Sequence, residues 1–195
     1  MPMIREMILI TTADDGAPHI APLGLIQEGD HWIAAPFRPS RTLDNLSARP
    51  HFTANVTDDV RVFAGCLTGR RDWPVARADR IAGWRLAEAV SHFELETVAQ
   101  AEDELRPRFR CRVLHEAAHR PAPGFNRAQA AVVEAAILAS RLHMLPQDKI
   151  RAEMTYLEIA ISKTAGPREG EAWAWLKQKI DAHLCAAVES AGAPQ

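Results

Sequence analysis

At 195 residues the chain has room for one domain, or for one domain with an appended subdomain. Its apolar fraction of 47% and charged fraction of 25% are those of a globular protein, and a net charge of −2 argues against a nucleic-acid partner without excluding a local basic site. No apolar stretch is long enough to span a bilayer, and the start, Met1 to Glu6, is broken at once by charge, so neither a membrane partner nor a secretory leader is expected.

Short β-like runs alternate with turns as far as about residue 121, and helical periodicity takes over from 122 to 195. Met3 to Thr12 is rich in Ile and Thr and breaks at Ala13-Asp14-Asp15-Gly16, a hairpin-type turn built on Asp-Gly. Pro18 to Gln27 predicts a second strand and His31 to Phe37 a third. Three strands at hairpin spacing imply an antiparallel meander. A short helix over Ser40 to Ala48 follows, then a strand from His51 to Thr57 with Phe52, Ala54 and Val56 on one face. Asp58 and Asp59 are placed to cap a short helix through Val62, Phe63 and Cys66.

Two longer β-like runs come next, about Arg85 to Val98 and Pro107 to His119. In the second, Phe109, Cys111 and Val113 alternate with Arg108, Arg110 and Arg112, the pattern of a half-buried strand with a cationic outer face. Five or six antiparallel strands joined by short turns favour a barrel, because closure removes exposed edges. Beyond them, Asn126 is a candidate N-cap for a helix over Arg127 to Leu145, which Pro146 stops. Gln147 to Ser162 and Glu169 to Ser190 predict two more. The expected class is α+β: an antiparallel barrel over 1–121 and a helical subdomain over 122–195.

The three cysteines, Cys66, Cys111 and Cys185, are far apart and odd in number. They read as buried or half-buried thiols in a reducing compartment, which makes the cytoplasm the expected location. Cys66, in an apolar helix, reads as inert packing.

The densest chemistry lies where the third strand ends, in Arg38-Pro39-Ser40-Arg41-Thr42. Arginine donates in a planar fork that fits phosphate oxygens, and the hydroxyls add neutral donors. With Ser40 as N-cap, the free N–H groups of the first helical turn favour an anion at the same place. Arg38, Ser40, Arg41 and Thr42 therefore form a candidate phosphate cradle; the competing reading is a capped turn beside surface arginines. On the second strand, Pro22 cannot donate to a ladder and Gly24 allows close backbone approach, so Ala21-Pro22-Leu23-Gly24 is either a main-chain edge that reads a flat heterocycle or an irregular edge strand. His19 and Asn55 are candidate polar contacts from neighbouring strands, or merely exposed. Trp73, in an Arg-rich loop, would stack on a ring or pin the loop. His115 and His119 suit a metal only on a helix, and their segment reads as strand, so no metal site is expected. No catalytic nucleophile or base stands out, which fits a protein that orients a cofactor while the cofactor carries the chemistry.

Taken together, the Asp-Gly turn, the run Pro18 to Gly24, the block Pro36 to Leu46, the run Asn55 to Val60 and Phe63-Ala64-Gly65 resemble the family called domain of unknown function 447, in the FMN-binding split-barrel superfamily. Asn126-Arg127-Ala128, Glu134 to Ile137 and Lys163 to Gly166 resemble that family's helical extension. The resemblance implies a split barrel with FMN at a homodimer interface, its phosphate at Ser40, Arg41 and Thr42 with Arg38 nearby, and its ring along Ala21 to Gly24. Thr42 stands where the superfamily's oxidases carry lysine, so Arg38 is the expected source of the second charge. The function implied is a flavin-dependent oxidoreductase with a small-molecule substrate or electron donor, extending to pterin or one-carbon metabolism; the alternative is a module that binds FMN or another phosphorylated ligand without turnover.

Overall fold

The computed structural model describes residues 2–192, and the chain divides into two compact units, a barrel unit of 1–58 and 72–122 and a helical unit of 59–71 and 123–195. In the barrel unit, β1 (Met3–Thr12), β2 (Pro18–Glu28), β3 (His31–Ala34), β4 (His51–Val56), β7 (Ser91–Ala101) and β8 (Arg108–Ala118) close in the order β1-β2-β3-β8-β7-β4, every neighbour antiparallel. The short helix α1 (Arg41–Ala48) follows β3, and β5 (Val75–Arg77) and β6 (Trp84–Leu86) form a separate two-stranded sheet. This is the antiparallel barrel with added helices that the strand count implies.

The barrel fills by the two-residue period of its strands. Met7, Leu9, Leu25, Trp32, Phe52, Ala54, Leu95, Phe109 and Cys111 share the core, and Leu43 and Leu46 of α1 join it. The opposite faces of β1 and β4 are buried too, because β6 lies over them. Thr53 Oγ1 donates to the Trp84 carbonyl (2.7 Å), and Asn55 Oδ1 accepts from the Leu86 N–H (2.9 Å). Trp84 is held from outside: its Nε1 donates to the Gly16 carbonyl (3.0 Å) and the Arg77 guanidinium lies 3.7 Å over its ring.

Apart from shifts of one to three residues at other ends, three boundaries differ from the expectation in ways that shape the fold. β3 stops at Ala34 instead of running to Phe37, because Pro36 has no N–H for the ladder and restricts the residue before it. The run expected over Arg85 to Val98 is two strands, since β6 and β7 are separated by a turn at 87–90 and belong to different sheets. The helix expected to reach Leu145 ends at Ser140, and its continuation tightens into turns in which Arg141 N–H donates to Leu138 O and Met144 N–H to Arg141 O.

The helical unit contains α2 (Arg61–Leu67), α3 (Arg127–Ser140), α4 (Gln147–Thr164) and α5 (Pro167–Gly192). Asn126 caps α3 as expected, accepting from the N–H groups of Ala128 (2.8 Å) and Gln129 (3.1 Å). Its amide also donates to the Thr164 carbonyl (3.1 Å), which ties the start of α3 to the end of α4. α5 starts at Pro167, where a missing N–H costs nothing, and Glu169 reaches back to the Gly166 N–H (3.0 Å) as a cap. The helix α2 lies upstream of the 121/122 division, yet it packs on α3 and α5 through a face that includes Val62, Phe63 and Cys66. No described helix is long and apolar enough to cross a membrane.

Phe109 is fully buried in the barrel core. Phe109→Ala is expected to cost about 3–5 kcal/mol in urea unfolding, from lost apolar burial plus a cavity. Cys66 and Cys111 are buried, and burial pushes both thiols up to about 11, whereas Cys185 is exposed. Titration of the native protein with a thiol reagent near pH 8 should therefore show one fast thiol, and all three only after denaturation.

Candidate functional site

Where β3 ends, the chain needs hydrogen-bond partners that the ladder no longer supplies. The Ala35 carbonyl is taken by Arg106, which donates from Nε (3.0 Å) and from its terminal nitrogen (2.8 Å). The same guanidinium lies 4.5 Å over the Phe37 ring, and the Arg38 N–H donates to the Leu105 carbonyl (2.8 Å). Arg106 is itself presented by a tight turn in which Asp103 Oδ1 accepts from the N–H groups of Leu105 (2.9 Å) and Arg106 (2.7 Å). Those N–H groups, Arg106 first, hold the Asp103 carboxyl below its ordinary value. The segment between β7 and β8 thus braces the segment that carries the cradle.

At the end of that segment Ser40 caps α1, its Oγ accepting from the Leu43 N–H at 3.2 Å. The N–H groups of Arg41 and Thr42 precede the first intrahelical bond and point out of the helix end. Arg41 is exposed and its guanidinium has no partner among the described residues. Arg38 is paired with Glu102 at 3.2 Å, but both side chains are largely in water, so the pair holds Arg38 only weakly. Thr42 is buried. Asn45 donates to Thr11 Oγ1 (2.8 Å), which with Leu43 and Leu46 fixes α1 on the barrel. Ser40, Arg41 and Thr42 thus open α1, with Thr42 buried, Arg38 two residues upstream on Glu102, and the Arg41 guanidinium available.

α1 also touches β2, whose ladder to β3 covers only Ile26–Glu28. From Ala21 to Leu25, β2 pairs with β1 on one side and, among the described residues, with no strand on the other. The expected main-chain edge is thus present at Ala21, Pro22, Leu23 and Gly24. Gly24 also has a reason within the barrel. A Cβ there would sit 2.8 Å from Cγ2 of Ile4 and 3.0 Å from Oε1 of Glu6, so the close approach is by side chains of β1. His19 is buried, opposite Thr11 in the register.

Asn55 is fully buried and committed elsewhere: its amide donates to the Ile8 carbonyl (3.0 Å) and Thr53 Oγ1 (3.0 Å) while its oxygen holds Leu86. It anchors β6 to the barrel wall. Arg70 in the loop after α2 stacks on Trp175 at 4.4 Å, within the helical unit. Arg106, Asp103 and Glu102 are the residues that sequence reasoning missed. The only available signal was that Arg106 precedes Pro107 at the start of a strand, which names no partner. Arg106→Lys removes the forked grip on Ala35 that a single ammonium cannot reproduce. Faster amide hydrogen exchange at Phe37, Arg38 and Ser40 is the expected result, with the barrel strands unchanged.

Two family models match this chain: the one described as Protein of unknown function (DUF447) N-terminal domain over residues 5–120, and the one described as Protein of unknown function (DUF447) over residues 126–178. Among solved structures, the chain is similar to the FMN-bound protein MM1853 from Methanosarcina mazei, with a TM-score of 0.81 at 22% identity, covering 92% of this chain and 96% of that one. It is also similar to the 2-nitrobenzoate 2-nitroreductase NbaA of Pseudomonas fluorescens (TM-score 0.51, 15% identity, 61% of this chain and 66% of that one). The styrene monooxygenase flavin reductase of Pseudomonas putida S12 matches at TM-score 0.50 and 15% identity, over 60% of this chain and 80% of that one. The two distant enzymes share the barrel fold, while the match to MM1853 extends over most of both chains. With an N-terminal match that spans more than half its length and a C-terminal match that follows it, this chain belongs to the DUF447 family.

Proposed function

We propose that the chain is an FMN-binding flavoprotein that carries out a redox reaction on a small molecule. The observation that carries this reading is the capped N-terminus of α1, where Ser40, the exposed Arg41 and the N–H groups of the first turn follow one another, on a helix that touches β2. A phosphate monoester needs several donors and at least one cation, and this set provides both. Arg38 supplies a second cation by leaving its exposed pair with Glu102, which costs little. The main-chain edge of Ala21 to Gly24 then holds the polar rim of the flavin ring. A relative in the same family, MM1853, is FMN-bound, which supports the assignment of this ligand.

Bound FMN supplies hydride or single-electron transfer, chemistry that no side chain here replaces. The protein's own part is to fix the phosphate, align the ring on β2 and keep the cradle loop rigid through Arg106. Phe37 is 46% exposed and Arg41 lies on the surface, so the cradle opens outward. A second copy of this chain covers it in our reading, which makes the functional unit a homodimer with FMN at the interface. The substrate and electron donor are small molecules, with pterins among the first to screen.

The test is a titration of purified protein with FMN, followed by visible spectroscopy and size measurement. A shifted flavin band with tight binding and a dimeric mass is expected. Arg41→Ala should weaken FMN by about 1–3 kcal/mol, through loss of a charge-assisted contact. Unchanged affinity in that variant, or no binding by the parent protein, would defeat the cradle. Reduction of the bound flavin by NADH, NADPH or a reduced pterin separates an oxidoreductase from a carrier.

A further inference from the structure

On the face of β7 that continues the covered face of β4, His92 and Glu94 project side by side, opposite Asn55 and Thr53 in the register. Both are fully buried. His115 of β8 stands directly across from Glu94, and a register shift follows at Glu94/Leu95. Asp79 comes from the turn between β5 and β6. Its carboxylate is the outermost group, 43% exposed, and His115 is 27% exposed, so the cluster has a solvent-facing mouth and a dry base. His115 and His119 do lie on and just past a strand, as expected, and they do not form a pair with each other. The partners of His115 come from elements that spacing along the sequence does not bring together.

A buried glutamate paired with a histidine has an ordinary explanation, in which each neutralises or satisfies the other. That explanation is weak here. The Glu94 carboxylate also accepts from the N–H groups of Asp79 (2.5 Å), Arg80 (2.9 Å) and Ile81 (2.7 Å), so the imidazole is one donor among four. Burial alone would raise its pKa, but these bonds and His92 together hold it below the ordinary value. Three other polar atoms nevertheless converge on it. His92 Nε2 lies 3.2 Å from Glu94 Oε1 and 3.8 Å from Asp79 Oδ2, and His115 Nε2 lies 3.3 Å from that same Asp79 oxygen. One donor atom each from Asp79, Glu94 and His115 fall within 4.8 Å of one another.

We propose that Asp79, Glu94 and His115 bind a first-row divalent transition metal, with His92 beside Glu94 and Asp79 as the fourth ligand, zinc being the simplest probe. Bonds of about 2.0–2.2 Å at tetrahedral angles place neighbouring ligand atoms roughly 3.3–3.6 Å apart; the separations of 3.2, 3.3 and 3.8 Å bracket that range, and small side-chain adjustments close the remainder of the 4.8 Å cluster onto an ion. Two imidazoles with two carboxylates select such a metal over magnesium or calcium, which take oxygen donors alone. The surroundings fit as well. The N–H groups of residues 79–81 orient the Glu94 carboxylate, and His119 Nε2 sits 2.9 Å from Nδ1 of His92, so a ligating His92 would donate its second N–H there. With its proton on Nδ1, toward His119, His92 offers the Nε2 lone pair to the metal. This site is separate from the cradle and does not rest on flavin binding.

The experiment is a zinc titration of tag-free, full-length protein against a chromophoric chelator, with bound metal counted by elemental analysis after dialysis. One zinc per chain is expected, displaced by neither magnesium nor calcium. Asp79→Ala and His115→Ala, at partly exposed positions, should each weaken zinc on the order of tenfold or more. Their unfolding midpoints in the presence of chelator should match the parent's, and zinc should raise the parent's midpoint more than theirs. Substoichiometric zinc in the parent, or affinity and zinc-induced stabilisation unchanged in both variants, would overturn the site.

Discussion

The ladder between β3 and β8 is four residues long, and much of the barrel unit follows from that shortness. A strand that ends early leaves carbonyl and N–H groups that must find other partners. Here the Ala35 carbonyl goes to a guanidinium and the Arg38 N–H to the Leu105 carbonyl, so the ladder is replaced by a clasp from the 102–106 turn. The same early stop leaves Ala21 to Leu25 of β2 paired with β1 alone among the described strands and turns the chain into α1 beside it. One proline thus produces both an open edge and a helix N-terminus on the same wall.

The other wall is organised by polar groups in the dry. β5 and β6 are three residues each, too short to persist alone, and they are held by Thr53, Asn55 and the carboxylate of Glu94. A buried charge is usually a liability, and here converging N–H groups make it an anchor. Polar side chains on β4 and β7 therefore play the part that apolar packing plays inside the barrel.

How much of this could be read beforehand depended on whether the signal was local. β1, β2 and the turn between them were legible because alternation and Asp-Gly chemistry act within a few residues. Ser40 and Asn126 were legible as caps for the same reason. The end of β3 was missed because Phe37 continues the apolar run past Pro36. Asn55 was misjudged because a polar residue on the outer face of a strand looks solvent-facing, and three-residue strands leave no periodic trace of the cover that lies over it. Gly24 is legible as an irregularity on β2, but the crowding by Ile4 and Glu6 is not, since they approach from a strand about twenty residues away. The ligand assignment came from family resemblance and not from any of these patterns.

The grouping of α2 with the C-terminal helices bears on how the chain is made. Residues 59–71 leave the ribosome between two parts of the barrel, long before α3 and α5 exist. Until those helices are synthesised, the apolar side of Val62, Phe63 and Cys66 has no native surface to cover it. Vectorial synthesis therefore completes the barrel's strands around an interior segment that is still waiting. The helical unit cannot mature until the last third of the polypeptide has emerged.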